Sequence, residues 1–232
     1  MTHVYVPSRG TKDWKRIYSN PGKQWQKGYP GRALAHCWER SDGFPVEVQA
    51  LFSGSGVASF RKVEPLLTFL DYDVAVAGGH SQHDLFSLAK DRTGQLMSIA
   101  VLGKVLAPFG PSIRDWLKGN GNGGNGHADP NAELKFICEQ LEWTDSLPKQ
   151  IPYALVHHAA LAVASARQFN APTAVLIIHA FGQKADWVGE YEDFLRLFHA
   201  QRSLSGLHLL KHTQDIALYC GWVTGDKKFL RK

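Results

Sequence analysis

Five consecutive apolar residues, Ala174-Val175-Leu176-Ile177-Ile178, stand between a long alanine- and leucine-rich segment and an amphipathic one. A strand with one wet face alternates apolar and polar residues, whereas an unbroken apolar run has to be covered on both faces. Sheets covered on both faces carry helices above and below, so this segment directs the chain toward an α/β architecture. Its flanks agree. Pro152–Phe169 reads as a long helix rich in Ala, Leu and Val, Asp186–Ala200 as an amphipathic helix, and Ile216–Val223 as a closing strand.

Upstream the character differs. Thr11 is a fitting N-cap for a helix over Lys12–Ser19, and Asn20-Pro21-Gly22 stops it. Further helices are expected over Arg32–Glu39 and from Pro45 to about Phe52, with a turn or two more over Glu64–Phe69. Asp73–Ala77 reads as a short strand broken by Gly78-Gly79. Asp84–Ala89 and Met97–Val105 form a hairpin through Asp91-Arg92-Thr93-Gly94. Ser112 caps a short helix to Lys118, a glycine- and asparagine-rich surface loop fills Gly119–Gly126, and Ala132–Leu141 is helical. The expected fold class is α/β, one domain over 1–232 with a mixed central sheet flanked by helices. An N-terminal helical part occupies 1–70 and the sheet-bearing core 71–232.

With 44% hydrophobic residues the chain can bury a sizeable core. No apolar run approaches the roughly 18 residues of a membrane span, and the first residues lack the basic-then-apolar pattern of a secretory signal. A cytoplasmic location without membrane contact is expected. Three cysteines, Cys37, Cys138 and Cys220, are odd in number and far apart, which suits free, mostly buried thiols. Positive charge gathers at the start: residues 1–40 hold eight Lys/Arg against two acids, whereas the whole chain has a net charge of +5. Lys12, Lys15, Arg16, Lys23 and Lys27 lie there among Trp14, Tyr18, Trp25, Tyr29 and Trp38. Bases beside aromatics suit phosphate contact and base stacking. They equally suit a solvated helical face whose aromatics anchor it to the core.

Chemistry concentrates on the hairpin. Alternation along the Met97–Val105 strand puts Ser98, Ala100, Leu102 and Lys104 on one face. Asp84 heads the neighbouring strand. An aspartate and a glutamate on adjacent strands can hold a divalent cation that activates water, and a lysine two positions beyond the glutamate can orient that water. Gly78-Gly79-His80-Ser81-Gln82-His83-Asp84, Gly103-Lys104-Val105 and Pro108-Phe109-Gly110-Pro111 resemble a bacterial family with the PD-(D/E)XK, restriction-endonuclease-like fold. The likeness also covers Val6–Gly10, Arg32–Ala35 with Trp38, Gly43-Phe44-Pro45 and Leu218–Val223, so it spans nearly the whole chain.

That resemblance implies metal binding by Asp84 and catalysis by Lys104. It also marks a loss. The motif's glutamate falls on Leu102, an Asp-Glu pair falls on Leu106-Ala107, and a glutamine of the long helix falls on Ala154, while Tyr153 and His157 match. Magnesium is bound through at least one or two carboxylates, so a Mg²⁺ site needs a replacement, and Glu64 is the candidate. Without it, Asp84 and Lys104 are expected to share one cleft and pair directly. The principal expectation is a nuclease-like protein with impaired catalysis that binds nucleic acid, DNA foremost, or a protein partner. Two alternatives are an active Mg²⁺-dependent DNA nuclease using Glu64, Asp84 and Lys104, and a toxin-neutralising or assembly protein without a nucleic-acid role. The histidines lack zinc-ligand spacing, and Gly54-Ser55-Gly56 follows a helix rather than a strand, which argues against a phosphate loop or a serine elbow.

Overall fold

The structure, a computed structural model, describes residues 8, 10–18, 20–76, 79–105, 107–120, 129–182 and 185–231. Val6-Pro7, Arg9, Ser19, Gly78, Leu106, Gly121–Gly126 and the side chain of Lys23 lie outside these. The elements run α1 (Thr11–Ile17), α2 (Pro21–Gln24), α3 (Pro30–Trp38), α4 (Val46–Ser53), a 3₁₀ turn (Ala58–Arg61), β1 (Val63–Val76), β2 (Gly79–Asp91) and β3 (Leu96–Lys104). They continue with α5 (Ile113–Asn120), α6 (Pro130–Gln140), α7 (Tyr153–Gln168), β4 (Thr173–Ala180), α8 (Ala185–Leu197), β5 (Leu207–His212), β6 (Ala217–Thr224) and a last 3₁₀ turn (Lys227–Leu230).

Six strands form one open mixed sheet in the order β1-β2-β3-β4-β6-β5. β1, β2 and β3 make an antiparallel meander, β4 runs parallel to both β3 and β6, and β5 returns antiparallel along β6. The apolar run occupies β4, and its side chains divide as a doubly covered strand requires. Val175 and Ile177 join a core with Trp14, Leu34, Trp38 and Phe52 from the N-terminal helices. Ala174, Leu176 and Ile178 join a second core with Leu155, Ala159 and Val163 of α7 and Trp187 and Tyr191 of α8. All five are fully buried.

Two expectations need correction. Glu64–Phe69 is strand, not helix, because β1 begins at Val63 and pairs with β2 all the way to the hairpin. The adjacent apolar pairs Leu66-Leu67 and Phe69-Leu70 imitate a helical repeat. What produces them is a register shift between Pro65 and Leu67, which breaks the two-residue alternation. Proline is tolerated there because β1 is an edge strand. The N-terminal helical part accordingly ends at the 3₁₀ turn Ala58–Arg61, short of residue 70. The second edge strand, β5, also went unpredicted; its register too shifts, between Leu209 and Lys211.

The aromatics of the basic N-terminal segment are structural anchors. Trp14 is fully buried and donates its indole N–H to Glu39 at 2.6 Å, Tyr18 donates to the Gly31 carbonyl at 2.9 Å, and Trp38 donates to His179 Nδ1 at 3.2 Å. Cys37 and Cys220 are buried free thiols, and Cys138 is half-buried. Among the described residues no helix is long and apolar enough to cross a membrane.

Ile177 lies where β4 meets the N-terminal core, with neighbours on both adjacent strands. Ile177→Ala should cost about 2–5 kcal/mol through lost burial and an incompletely collapsed cavity. Denaturant unfolding of the two proteins measures this directly.

Candidate functional site at the fork of the second and third strands

The β2–β3 ladder runs from Lys90–Leu96 to Leu85–Val101 and then opens. The opening coincides with an irregularity in β1 and β2. Leu70 and Tyr72, two residues apart, belong to opposite cores, and Asp71 between them adopts φ of 50°. On β2, Phe86 and His83 both face α7: Phe86 stacks on Phe169 at 5.3 Å, and His83 Nε2 lies 2.9 Å from Ser165 Oγ. Two residues separate them, so strict alternation fails between, and Asp84 and Leu85 both turn toward the N-terminal helices.

Asp84 Oδ2 accepts the Gly103 N–H at 2.7 Å, replacing the strand carbonyl that β2 no longer supplies. Gly103 has to be glycine here. A Cβ would meet Leu34 and Pro30 of α3 at 2.8 Å and the Asp84 carboxylate at 3.3 Å. Burial pushes the Asp84 carboxyl up to about 6; nearby Asp71 adds to the rise, and the Gly103 N–H opposes it.

Lys104 leaves the sheet on the other face. Its buried ammonium donates to the Ala107 carbonyl and lies 4.3 Å from the Phe109 ring centroid and 4.9 Å from that of Trp187. Burial lowers its pKa to about 8, against a raising effect from Glu190 on α8. The expected single cleft holding Asp84 and Lys104 is therefore not formed. The acid faces α3, the ammonium faces Phe109 and Trp187, and among the described residues no ion pair joins them. The expectation assumed unbroken alternation, which the irregularity at Asp84 removes.

Glu64 is elsewhere. It pairs across the hairpin with Lys90, six residues from Asp84 and thus roughly 20 Å along the strand. Its exposed carboxylate forms ion pairs with Lys62 at 2.8 Å and Lys90 at 3.4 Å, which lower its pKa. Leu102 packs on the α7 side of the sheet and borders the same cavity as Lys104, away from Asp84. These residues do not fit a Mg²⁺ site, and among the described residues no three His, Cys, Asp or Glu are grouped to hold a metal ion. Lys12, Lys15, Arg16 and Lys27 are exposed on or just after the first two helices. His83 is fully buried and kept neutral by burial, out of reach of a phosphate.

A polar chain also crosses this end of the sheet, linking β2, α7 and α6. His157 Nε2 is 2.7 Å from Ser81 Oγ, His157 Nδ1 is 2.7 Å from Tyr153 Oη, and Tyr153 donates to Glu133. With the phenol proton given to Glu133, the hydrogen-bond pattern assigns Nδ1–H as donor to the phenol oxygen and Nε2 as acceptor from Ser81. Burial lowers His157 to about 4. Trp116 stacks on Tyr153 with ring centroids 4.1 Å apart. Tyr153 and His157 share a helix face at i, i+4 spacing, which the sequence displays. Ser81 and Glu133 meet them only in the fold.

Beside this chain is a cavity of about 310 Å³, walled by Tyr29, Pro30, Leu102, Phe109 and Ala154 with Lys104 in its lining. The first turn of α7 separates the two features: Tyr153 belongs to the polar chain and Ala154 to the cavity wall.

Fold and site together define a mixed α/β protein whose open six-stranded sheet, flanked by helices, forks at the ends of β2 and β3. The chain belongs to the domain of unknown function family DUF6946, whose signature spans residues 7–227. No curated protein and no solved structure matches it.

The Asp84 carboxyl is displaced upward, so the folded state holds its proton more tightly than the unfolded chain does. Its ionisation then removes stability as pH rises from about 4 to about 6, worth about 2–3 kcal/mol in all. Asp84→Asn keeps an acceptor for Gly103 without the charge. It should exceed the natural protein in stability by about 1–3 kcal/mol at pH 7 and match it near pH 4. Urea unfolding at the two pH values tests this; a difference independent of pH would mean that Asp84 ionises freely.

Proposed function

We propose that this chain is a restriction-endonuclease-like protein that binds nucleic acid without metal-dependent cleavage. The observation that carries the binding half of the reading is the set of exposed bases near the start of the chain. Asp84 and Lys104 stand on the second and third strands of a meander that continues through three helices into a parallel strand, though their side chains face opposite sides of the sheet. With Leu102 in place of a carboxylate and Glu64 some six pairings away, a carboxylate cage for a cation is missing among the described residues. Binding rests on the exposed bases Lys12, Lys15, Arg16 and Lys27. Their aromatic neighbours Trp14, Tyr18 and Trp38 are buried, which favours backbone contact over base stacking.

Fluorescence anisotropy with labelled duplex DNA, single-stranded DNA and RNA tests the reading. If four bases contact phosphates, affinity should fall about 100-fold between about 50 and 200 mM salt, and the combined Lys12→Ala, Lys15→Ala and Arg16→Ala change should flatten that slope. No strand should be cut with Mg²⁺ or Mn²⁺ present. Cleavage that disappears in Asp84→Ala, or the absence of salt-dependent binding, would overturn it.

A second reading, serine-based acyl transfer, is favoured by one observation: the hydrogen-bonded order Ser81, His157, Tyr153, Glu133. A nucleophile bonded to a base that a third group orients is the usual arrangement for covalent catalysis. Ser81 Oγ would attack an ester carbonyl while His157 Nε2 takes its proton and passes it to the departing alkoxide; water then releases the acyl group. A fluorophosphonate probe should in that case label Ser81, and His157→Gln should abolish labelling. Intact protein that takes up no probe removes this reading.

A further inference from the structure

We infer that the cavity beside Lys104 is a binding site for a small apolar carboxylic acid, its carboxylate on the Lys104 ammonium and its hydrocarbon body against Leu102, Phe109 and Ala154. The charge pattern supports this first. Lys104 is 5% exposed, yet among the described residues its ammonium has one oxygen partner, the Ala107 carbonyl, and no carboxylate within 4 Å. An ammonium carries three donors. Its remaining surroundings are ring faces, Phe109 and Trp187, which attract a cation but accept no conventional hydrogen bond. Glu190, the acid that acts on it from farther off, instead takes the Phe109 N–H at 3.3 Å. A buried cation so placed is complementary to an anion, and one that must itself be desolvated favours a carboxylate with an apolar remainder.

Shape supports it second. The space measures about 310 Å³, at the lower end of ligand sites. Its walls other than Lys104 are aliphatic, aromatic or backbone, with Tyr29 exposed at its edge. A nucleic-acid phosphate fits this lining poorly, since nothing apolar accompanies it into the space. A short alkyl or single-ring acid satisfies both the cation and the walls. The site lies at the carboxyl end of β3, which runs parallel to β4, and open sheets with helices on both faces present ligands at such ends. The proposal is independent of the nucleic-acid reading, because the bases invoked there lie outside this lining.

Calorimetric titration of the full chain with octanoate tests it, with octanol and inorganic phosphate as comparison probes. Saturable octanoate binding is expected, weaker by about tenfold or more in Lys104→Met, because a charge-assisted hydrogen bond is lost. Ala154→Phe should block the cavity and abolish binding while keeping the lysine. Octanol should bind more weakly and be indifferent to Lys104→Met. Circular dichroism checks that each variant is folded, and Ala154→Phe keeps the test alive if Lys104→Met is not. Absence of saturable octanoate binding, unchanged affinity in the folded variants, or displacement of octanoate by equimolar phosphate would overturn the proposal.

Discussion

The structure depends on one strand being dry on both faces. β4 receives hydrogen bonds from β3 and β6, and its side chains alternate between two cores built by different parts of the chain. Burial of apolar area is the dominant favourable term in folding. The N-terminal helices have no second surface to cover if this face is absent, and α7 and α8 have none if the opposite face is absent. The sheet therefore couples the first third of the chain to the last, and the anchoring bonds of Trp14, Tyr18 and Trp38 add direction to that coupling.

The same sheet creates the site by ending unevenly. Where β2 leaves β3, backbone donors lose their partners, and an unpaired buried N–H is costly. The Asp84 carboxylate satisfies Gly103, a structural task that turns the acid toward α3. Lys104 is then left on the other face among rings and one carbonyl. Leu102, Ala107 and Ala154 all border the cavity that Lys104 lines, so the cation sits beside an apolar wall.

Much of this was readable from residues. The apolar run, the long Ala-rich helix and the Asp91–Gly94 turn are local signals, and each stands where expected. The Glu64–Phe69 segment was misread because a bulge breaks alternation, leaving paired apolar residues that look helical. Asp84 lies on the expected strand, but inside it rather than at its head, because β2 starts at Gly79, and a separate break in alternation turns its side chain toward α3. Glu133 and Ser81 carry no local mark at all: a serine on a strand and a glutamate in a helix become partners of His157 only when α6, α7 and β2 pack.

The doubly covered strand, the long helix before it, the need for helices on both faces and the gathering of bases near the start follow from the amino-acid sequence alone, because propensity, periodicity and charge are properties of neighbours along the chain. Which side Asp84 faces, what surrounds the Lys104 ammonium and which four residues form the polar chain were decided by tertiary structure. Those depend on strand irregularity and on packing between segments 19 to 76 residues apart, and a one-residue change of phase in a strand reverses a side chain without leaving a trace in composition.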